Sequence, residues 1–143
     1  MREIKYRGLS NGKWIIGNLF IFTGNINKGQ CYISDYGSMV DHSLTNDMND
    51  AAIGFFKRVD SETVGQYTGL KDKDGVEIYE GDIIWDAHAE IHGKVTFDEG
   101  SFCVEWETHI EHLFEVIIDG YAEVLGNIFE NTELLQEVDL SEL

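Results

Sequence analysis

Proline is absent from all 143 residues, so glycine and Asx residues have to make the turns. Cysteine occurs only twice, as Cys31 and Cys103, without a CxxC spacing. That is neither a disulfide framework nor a zinc-ribbon pattern, and reduced thiols in a cytoplasmic setting are the expectation. Apolar runs long enough to span a bilayer, roughly 18 residues or more, are missing, and the opening MREIKYRG lacks the apolar stretch of a signal peptide. Both absences argue against a membrane or secreted protein. There is no GxSxG elbow, no P-loop and no dinucleotide-binding glycine motif, so neither a serine nucleophile nor a phosphate cradle is evident.

Basic residues are the scarcest chemistry. Ten Lys/Arg stand against 27 Asp/Glu, a formal net charge of −17. The deficit is uneven: residues 1–70 hold seven bases and seven acids, whereas residues 71–143 hold only Lys71, Lys73 and Lys94 against 20 acids. Such a surface repels phosphate backbones and anionic lipids and speeds encounters with basic partners. The expected partner is therefore an unidentified basic protein. Duplex nucleic acid and membranes are disfavoured, and self-association stays open.

What is present resembles an ordinary globular domain: 43% hydrophobic and 26% charged residues exclude disorder, collagen-like repeats and a coiled coil. A chain of this length buries roughly two-thirds of the surface that its unfolded form exposes, so one domain over residues 1–143 needs no disulfide or metal staple. Asn11-Gly12 between apolar runs predicts a β-hairpin over residues 2–22, whose second arm, Trp14 to Phe22, is apolar on both faces and reads as a central strand. Strands are also expected at Cys31–Ile33, Phe55–Val59, Val64–Thr68, Ile83–Trp85 and Tyr121–Phe129. A second hairpin runs from Lys94 to Trp106 around Asp98-Glu99-Gly100-Ser101. Residues 34–52, rich in Ser, Asn and Asp, read as an irregular excursion.

Helical period appears once in strength. Ile110, Leu113, Phe114, Ile117 and Ile118 recur at i, i+3, i+4, i+7 and i+8, with Thr108 and Glu111 spaced as a capping box and Gly120 placed to stop the helix. A short C-terminal helix is expected after Asn131 as N-cap.

Few residues suggest chemistry. Asp72, Asp74 and Gly75 miss the calcium-loop pattern, because glycine and glutamate do not fall at its sixth and twelfth positions; an Asx turn fits better. His88 with His92, and His109 with His112, are zinc-type donors among glutamates, but the first pair lies in a strand-and-turn segment where a four-residue spacing does not aim two imidazoles together. No metal site and no cofactor are assigned, and a metal-dependent hydrolase ranks last. Arg2, Lys5, Arg7 and Lys13 interleave with Tyr6 and Trp14, and Lys57 and Arg58 adjoin Phe55 and Phe56. Such a face could stack single-stranded bases, although alternate strand residues are normally charged anyway.

Three segments in order, MREIKYRG, QYTGLKDKDGVEIYEGDII (66–84) and VLGNIFENTELL (124–135), together with VTFDEGSFCVEW (95–106), resemble the YopX family of phage and prophage proteins. The resemblance leaves out residues 23–56, which read as a variable insert. It implies a mainly β protein from the cytoplasm of a bacterial host and supplies no catalytic residues. In the central motif Gly69, Gly75 and Gly81 suit tight turns, Asp72 and Asp74 suit Asx turns, and Ile78, Ile83 and Ile84 supply core. The edge Tyr79-Glu80-Gly81-Asp82 is the candidate recognition surface.

The resulting expectation is a mainly β (β-rich α+β) fold: a small SH3-like or related barrel over residues 64–129, an N-terminal hairpin and two short helices. The function expected is that of a non-enzymatic, macromolecule-binding accessory protein. The alternative is nucleic-acid binding through Arg2, Lys5, Arg7, Lys13 and Trp14.

Overall fold

Asn11 and Gly12 both adopt positive φ, 53° and 79°, which is what a type I′ turn demands. They join β1 (Tyr6–Ser10) to β2 (Lys13–Gly17) with Ser10 opposite Lys13. The computed structural model describes residues 2–24, 28–34 and 56–135. These belong to two compact units, Met1–Gln66 and Tyr67–Leu143.

In the first unit the strand expected to continue to Phe22 breaks at Asn18. Its carbonyl accepts the amide of Ser34 and its amide donates to Ser34 Oγ (2.9 and 3.0 Å). The Ser34 carbonyl occupies the space that a Cβ on Gly17 would need, so the close approach depends on glycine. Beyond it, β3 (Leu19–Ile21) leaves β2 and pairs with β4 (Cys31–Ser34), which pairs with β5 (Phe56–Val59). The doubly buried second arm is thus corrected: Phe20, Ile21 and Phe22 are exposed, because β3 is an edge strand, paired only with β4. Ile15, Cys31, Ile33 and Val59 form the core, flanked by Tyr6, Leu19 and Val64. A 3-10 turn, Ser61–Thr63, follows β5, and Thr63 Oγ1 ties it to β1 by accepting the Leu9 amide (2.8 Å). Residues 35–55, most of the expected variable insert, lie outside the described residues.

The chain enters the second unit within β6 (Gly65–Lys71), which pairs with β7 (Glu77–Tyr79). Then come β8 (Asp82–Asp86), β9 (Ile91–Asp98), β10 (Ser101–Trp106), β11 (Ile110–His112), α1 (Leu113–Ile118) and β12 (Ala122–Asn127). Their sheet is antiparallel in the order β11-β10-β9-β8-β12. The fold is mainly β, with a sheet curled into a half-barrel and two short helices. The β9–β10 hairpin turns through Glu99 and Gly100, φ 48° and 85°, as its sequence predicts. Ile78, Ile84, Val95, Val104, Trp106, Leu113, Val116 and Ala122 form the core of this unit.

The expected Thr108–Ile118 helix needs correction. Only Leu113–Ile118 is helical, and Ile110–His112 pair instead with β10, Glu111 opposite Val104. The edge of β10 offers backbone partners that a first helical turn would leave unsatisfied. The capping box does not form: Thr108 Oγ1 meets His109 Nδ1 (2.9 Å), Glu111 meets His109 Nε2 (2.8 Å), and His112 at the N-cap makes no capping bond. Of the expected apolar stripe, Leu113 is buried and Ile117 partly so, while Ile110, Phe114 and Ile118 face solvent and Val116 packs inward instead. Gly120 stops the helix at φ 78°.

Asn131 was expected as an N-cap through its side chain. Its carbonyl does accept the Leu134 amide (3.1 Å), but Oδ1 turns back to the amide of Asn127 (3.1 Å). Asn127 Oδ1 in turn accepts the amides of Phe129 and Glu130. The remainder of the expected C-terminal helix, from residue 136, lies outside the described residues.

Candidate functional site

Alternation along a strand puts every second side chain on one face, and the register of β3, β4 and β5 decides which ones meet. Phe20 stands opposite Tyr32, Tyr32 opposite Arg58, and Ser34 opposite Phe56. One face of this three-stranded sheet therefore carries Phe20, Tyr32, Phe56 and Arg58, joined by Phe22 just beyond β3. The other face sends Cys31, Ile33 and Val59 into the core.

The rings touch edge to face. Phe20 lies 6.0 Å from Phe22 and 5.8 Å from Phe56, and Phe22 lies 5.3 Å from Tyr32, with interplanar angles of 65–73°. Even so, Phe20 keeps 54% of its surface in solvent, and Phe22 and Phe56 are also exposed. These rings form a contiguous, solvent-exposed aromatic patch.

Arg58 also lines a cleft of about 760 Å³ at the end of the sheet, with Ser10, Asn11, Lys28, Gln30 and Asp60. Lys28 and Arg58 form no ion pair among the described residues. The Asp60 carboxylate accepts the Glu62 amide (3.3 Å). The cleft thus sets two cations beside one carboxylate and several neutral hydrogen-bonding groups.

Of the residues singled out from the sequence, Arg7 and Trp14 come together, the guanidinium 4.4 Å above the indole ring, a cation–π contact. Lys5 pairs with Glu3 (3.2 Å), while Arg2 and Lys13 are exposed. In the Tyr79–Asp82 edge, Tyr79, Gly81 and Asp82 are buried and only Glu80 is partly accessible. Asp82, 2% exposed, holds the turn by accepting the Tyr79 amide (2.7 Å). The edge therefore offers solvent little besides Glu80.

The four histidines singled out from the sequence occupy separate places. His88 stacks on Tyr121, His92 lies against Trp85, His109 bonds Glu111, and His112 Nδ1 meets Ser101 Oγ (3.1 Å). Since the helix begins at Leu113, His109 and His112 do not share its polar side as the sequence suggested. Among the described residues no three His, Cys, Asp or Glu side chains are placed to hold a metal ion. Cys103 is buried beside Ser101 and His112, its Sγ 4.0 Å from the imidazole, on a pocket of about 300 Å³ rimmed by Asp98, Glu99, Glu111 and Glu115.

A family model described as YopX protein matches residues 5–136. The chain belongs to the YopX family. Membership agrees with the motifs: in this YopX chain Asp72, Asp82 and the Asn127–Asn131 turn are structural, their side-chain oxygens taken up by backbone amides. The chain is also similar to the crystal structure of protein EF1440 from Enterococcus faecalis, with 25% identity over 94% of this chain and 99% of that one and a TM-score of 0.46. No curated protein matches it. No helix among the described residues is long and apolar enough to cross a membrane.

The sequence shows Phe56 beside Arg58 and places Phe20, Phe22 and Tyr32 in strands, but not that they share one face. The alternation Phe20-x-Phe22 and Phe56-x-Arg58 is visible in the chain, but its convergence on Tyr32 depends on register.

Proposed function

We infer that this YopX protein is a non-enzymatic phage or prophage accessory protein that works in the cytoplasm of a bacterial host by binding a macromolecule. The observation that carries the reading is the solvent-exposed aromatic face of β3–β5. Burying such rings is worth roughly 1.5–3 kcal/mol each, so a surface that leaves Phe20, Phe22 and Phe56 in water is stabilised by a partner. The acidity of the second unit, in which Lys71, Lys73 and Lys94 are the only bases, suits a basic protein at a different place. Two chemically distinct surfaces are the mark of an adaptor.

The test is capture from host lysate on the immobilised full chain, with and without nuclease. Wild-type protein should retain a partner that Phe20→Ser and Phe56→Ser variants of unchanged melting temperature lose. Equal capture by all three would sink the reading.

A further inference from the structure

We propose that the outward face of α1, with the acidic pocket beside it, is the docking surface for a peptide segment of a partner protein that carries Lys or Arg next to apolar side chains. Phe114 and Ile118 receive the apolar side chains, and the pocket edged by Glu115 receives a lysine or arginine. The proposal rests on the macromolecule-binding reading above and gives its basic partner a place in the second unit.

The short helix decides what faces outward. Leu113 and Val116 enter the core and Ile117 packs half-buried against it, so at about 3.6 residues per turn the opposite side belongs to residues 114, 115, 118 and 119. Phe114 and Ile118, four apart, form one ridge and keep 55% and 68% of their surface in solvent. Glu115 and Asp119, both exposed, form the next, since Asp119 still has helical φ and ψ of −67° and −20°. Glu115 also continues the acidic ridge into the pocket of about 300 Å³, whose wall holds Asp98, Glu99, Glu111 and the exposed Ile110. Apolar and acidic surfaces thus run side by side.

Charge selects the occupant. Glu111 already bonds His109 (2.8 Å), but Asp98, Glu99 and Glu115 enter no ion pair among the described residues. Lys94 is the only Lys or Arg from Asp82 to the end of the sequence, and it sits by Glu105 (3.8 Å). Carboxylates sharing one pocket repel one another, and a cation between them removes that cost. Nucleic acids and anionic lipid surfaces are repelled for the same reason. Two copies meeting symmetrically at α1 would press their Glu115–Asp119 ridges together. A small cation would satisfy the carboxylates but leave Phe114 and Ile118 in water, whereas a peptide with basic and apolar side chains covers both.

The experiment is fluorescence anisotropy of the full chain with fluorescein-labelled peptides of about twelve residues, composed of Leu and Lys, Ser and Lys, or Leu and Glu, at about 50 and about 200 mM salt. The Leu/Lys peptide should bind about tenfold more tightly than the other two, and more weakly at the higher salt. Phe114→Ala and Ile118→Ala, at exposed positions where alanine suits a helix, should each weaken it about tenfold. Glu115→Gln should weaken it about threefold and reduce its salt dependence. Glu90→Gln, at the far end of β9 and about 25 Å away along the strand, should do neither. Thermal melting checks that every variant folds. Absence of Leu/Lys binding at low salt, equal binding of the Ser/Lys peptide, unchanged binding in Phe114→Ala, or an equal loss in Glu90→Gln would overturn the proposal. Concentration-dependent self-association abolished by Phe114→Ala would also overturn it, by naming a second copy as the occupant. Failure of the peptides alongside host-protein capture that needs Phe20 and Phe56 would overturn it and leave the macromolecule-binding reading intact. Peptide binding that needs Phe114, alongside capture indifferent to Phe20 and Phe56, would uphold it and sink the role given to the β3–β5 face.

Discussion

Asp72 accepts the amide of Val124, 52 residues away, through Oδ2 at 2.9 Å. Its other oxygen holds the amides of Asp74 and Val76, at 2.8 and 2.9 Å. One buried carboxylate therefore shapes the 72–76 turn and fastens it to β12. The DKDG sequence owes its chemistry to this structural duty, and its aspartates do not form a calcium loop.

Replacing Asp72 with alanine strands three amides in a buried setting, where each unsatisfied group costs about 1–3 kcal/mol. Urea unfolding of Asp72→Ala should show a loss of about 3 kcal/mol or more. Asp72→Asn should also be destabilised, because one of its carboxamide ends presents donors to N–H groups. A loss under about 0.5 kcal/mol in the alanine variant would contradict the assigned role.

Gly93 leaves no room for a methyl group. A Cβ there would lie 2.6 Å from both Trp106 Cε3 and Val104 Cγ1, atoms of a packed core. Gly93→Ala should cost about 1–3 kcal/mol through overpacking and shift the tryptophan emission, since the Trp106 indole is 4% exposed. Unaltered stability and emission would show that the β9–β10 packing is looser than described.

Thr108 distinguishes strand from helix. If it capped a helix, Thr108→Ala would cost about 1 kcal/mol. Because residues 110–112 pair with β10 and the Thr108 hydroxyl meets only the His109 ring, the expected change lies within about 0.5 kcal/mol. Chemical denaturation of the variant decides between the two.

Zinc should leave the melting temperature of tag-free protein unchanged, because His88, His92, His109 and His112 each pack against a different partner. A tightly bound zinc per chain, lost in His109→Ala and His112→Ala variants, would refute this.

The turns and the family are legible in the residues alone. Asn11-Gly12, Glu99-Gly100 and Gly120 take the positive φ values their residue types predict, since a turn is a steric preference confined to about four residues. The motifs at 66–84 and 124–135 were likewise readable, because their buried Asx side chains bond mostly to amides close in sequence. Three features emerge only in the folded chain: Ile110–His112 pair as a strand, β3 abandons β2, and Phe20, Tyr32, Phe56 and Arg58 share a face. Each of these depends on which distant strand edge is free and in what register it pairs. A one-residue slip would turn Arg58 toward the core and Val59 toward water. Burial of Cys31, Ile33 and Val59 against Ile15 excludes that slip, and so places the aromatic rings in solvent.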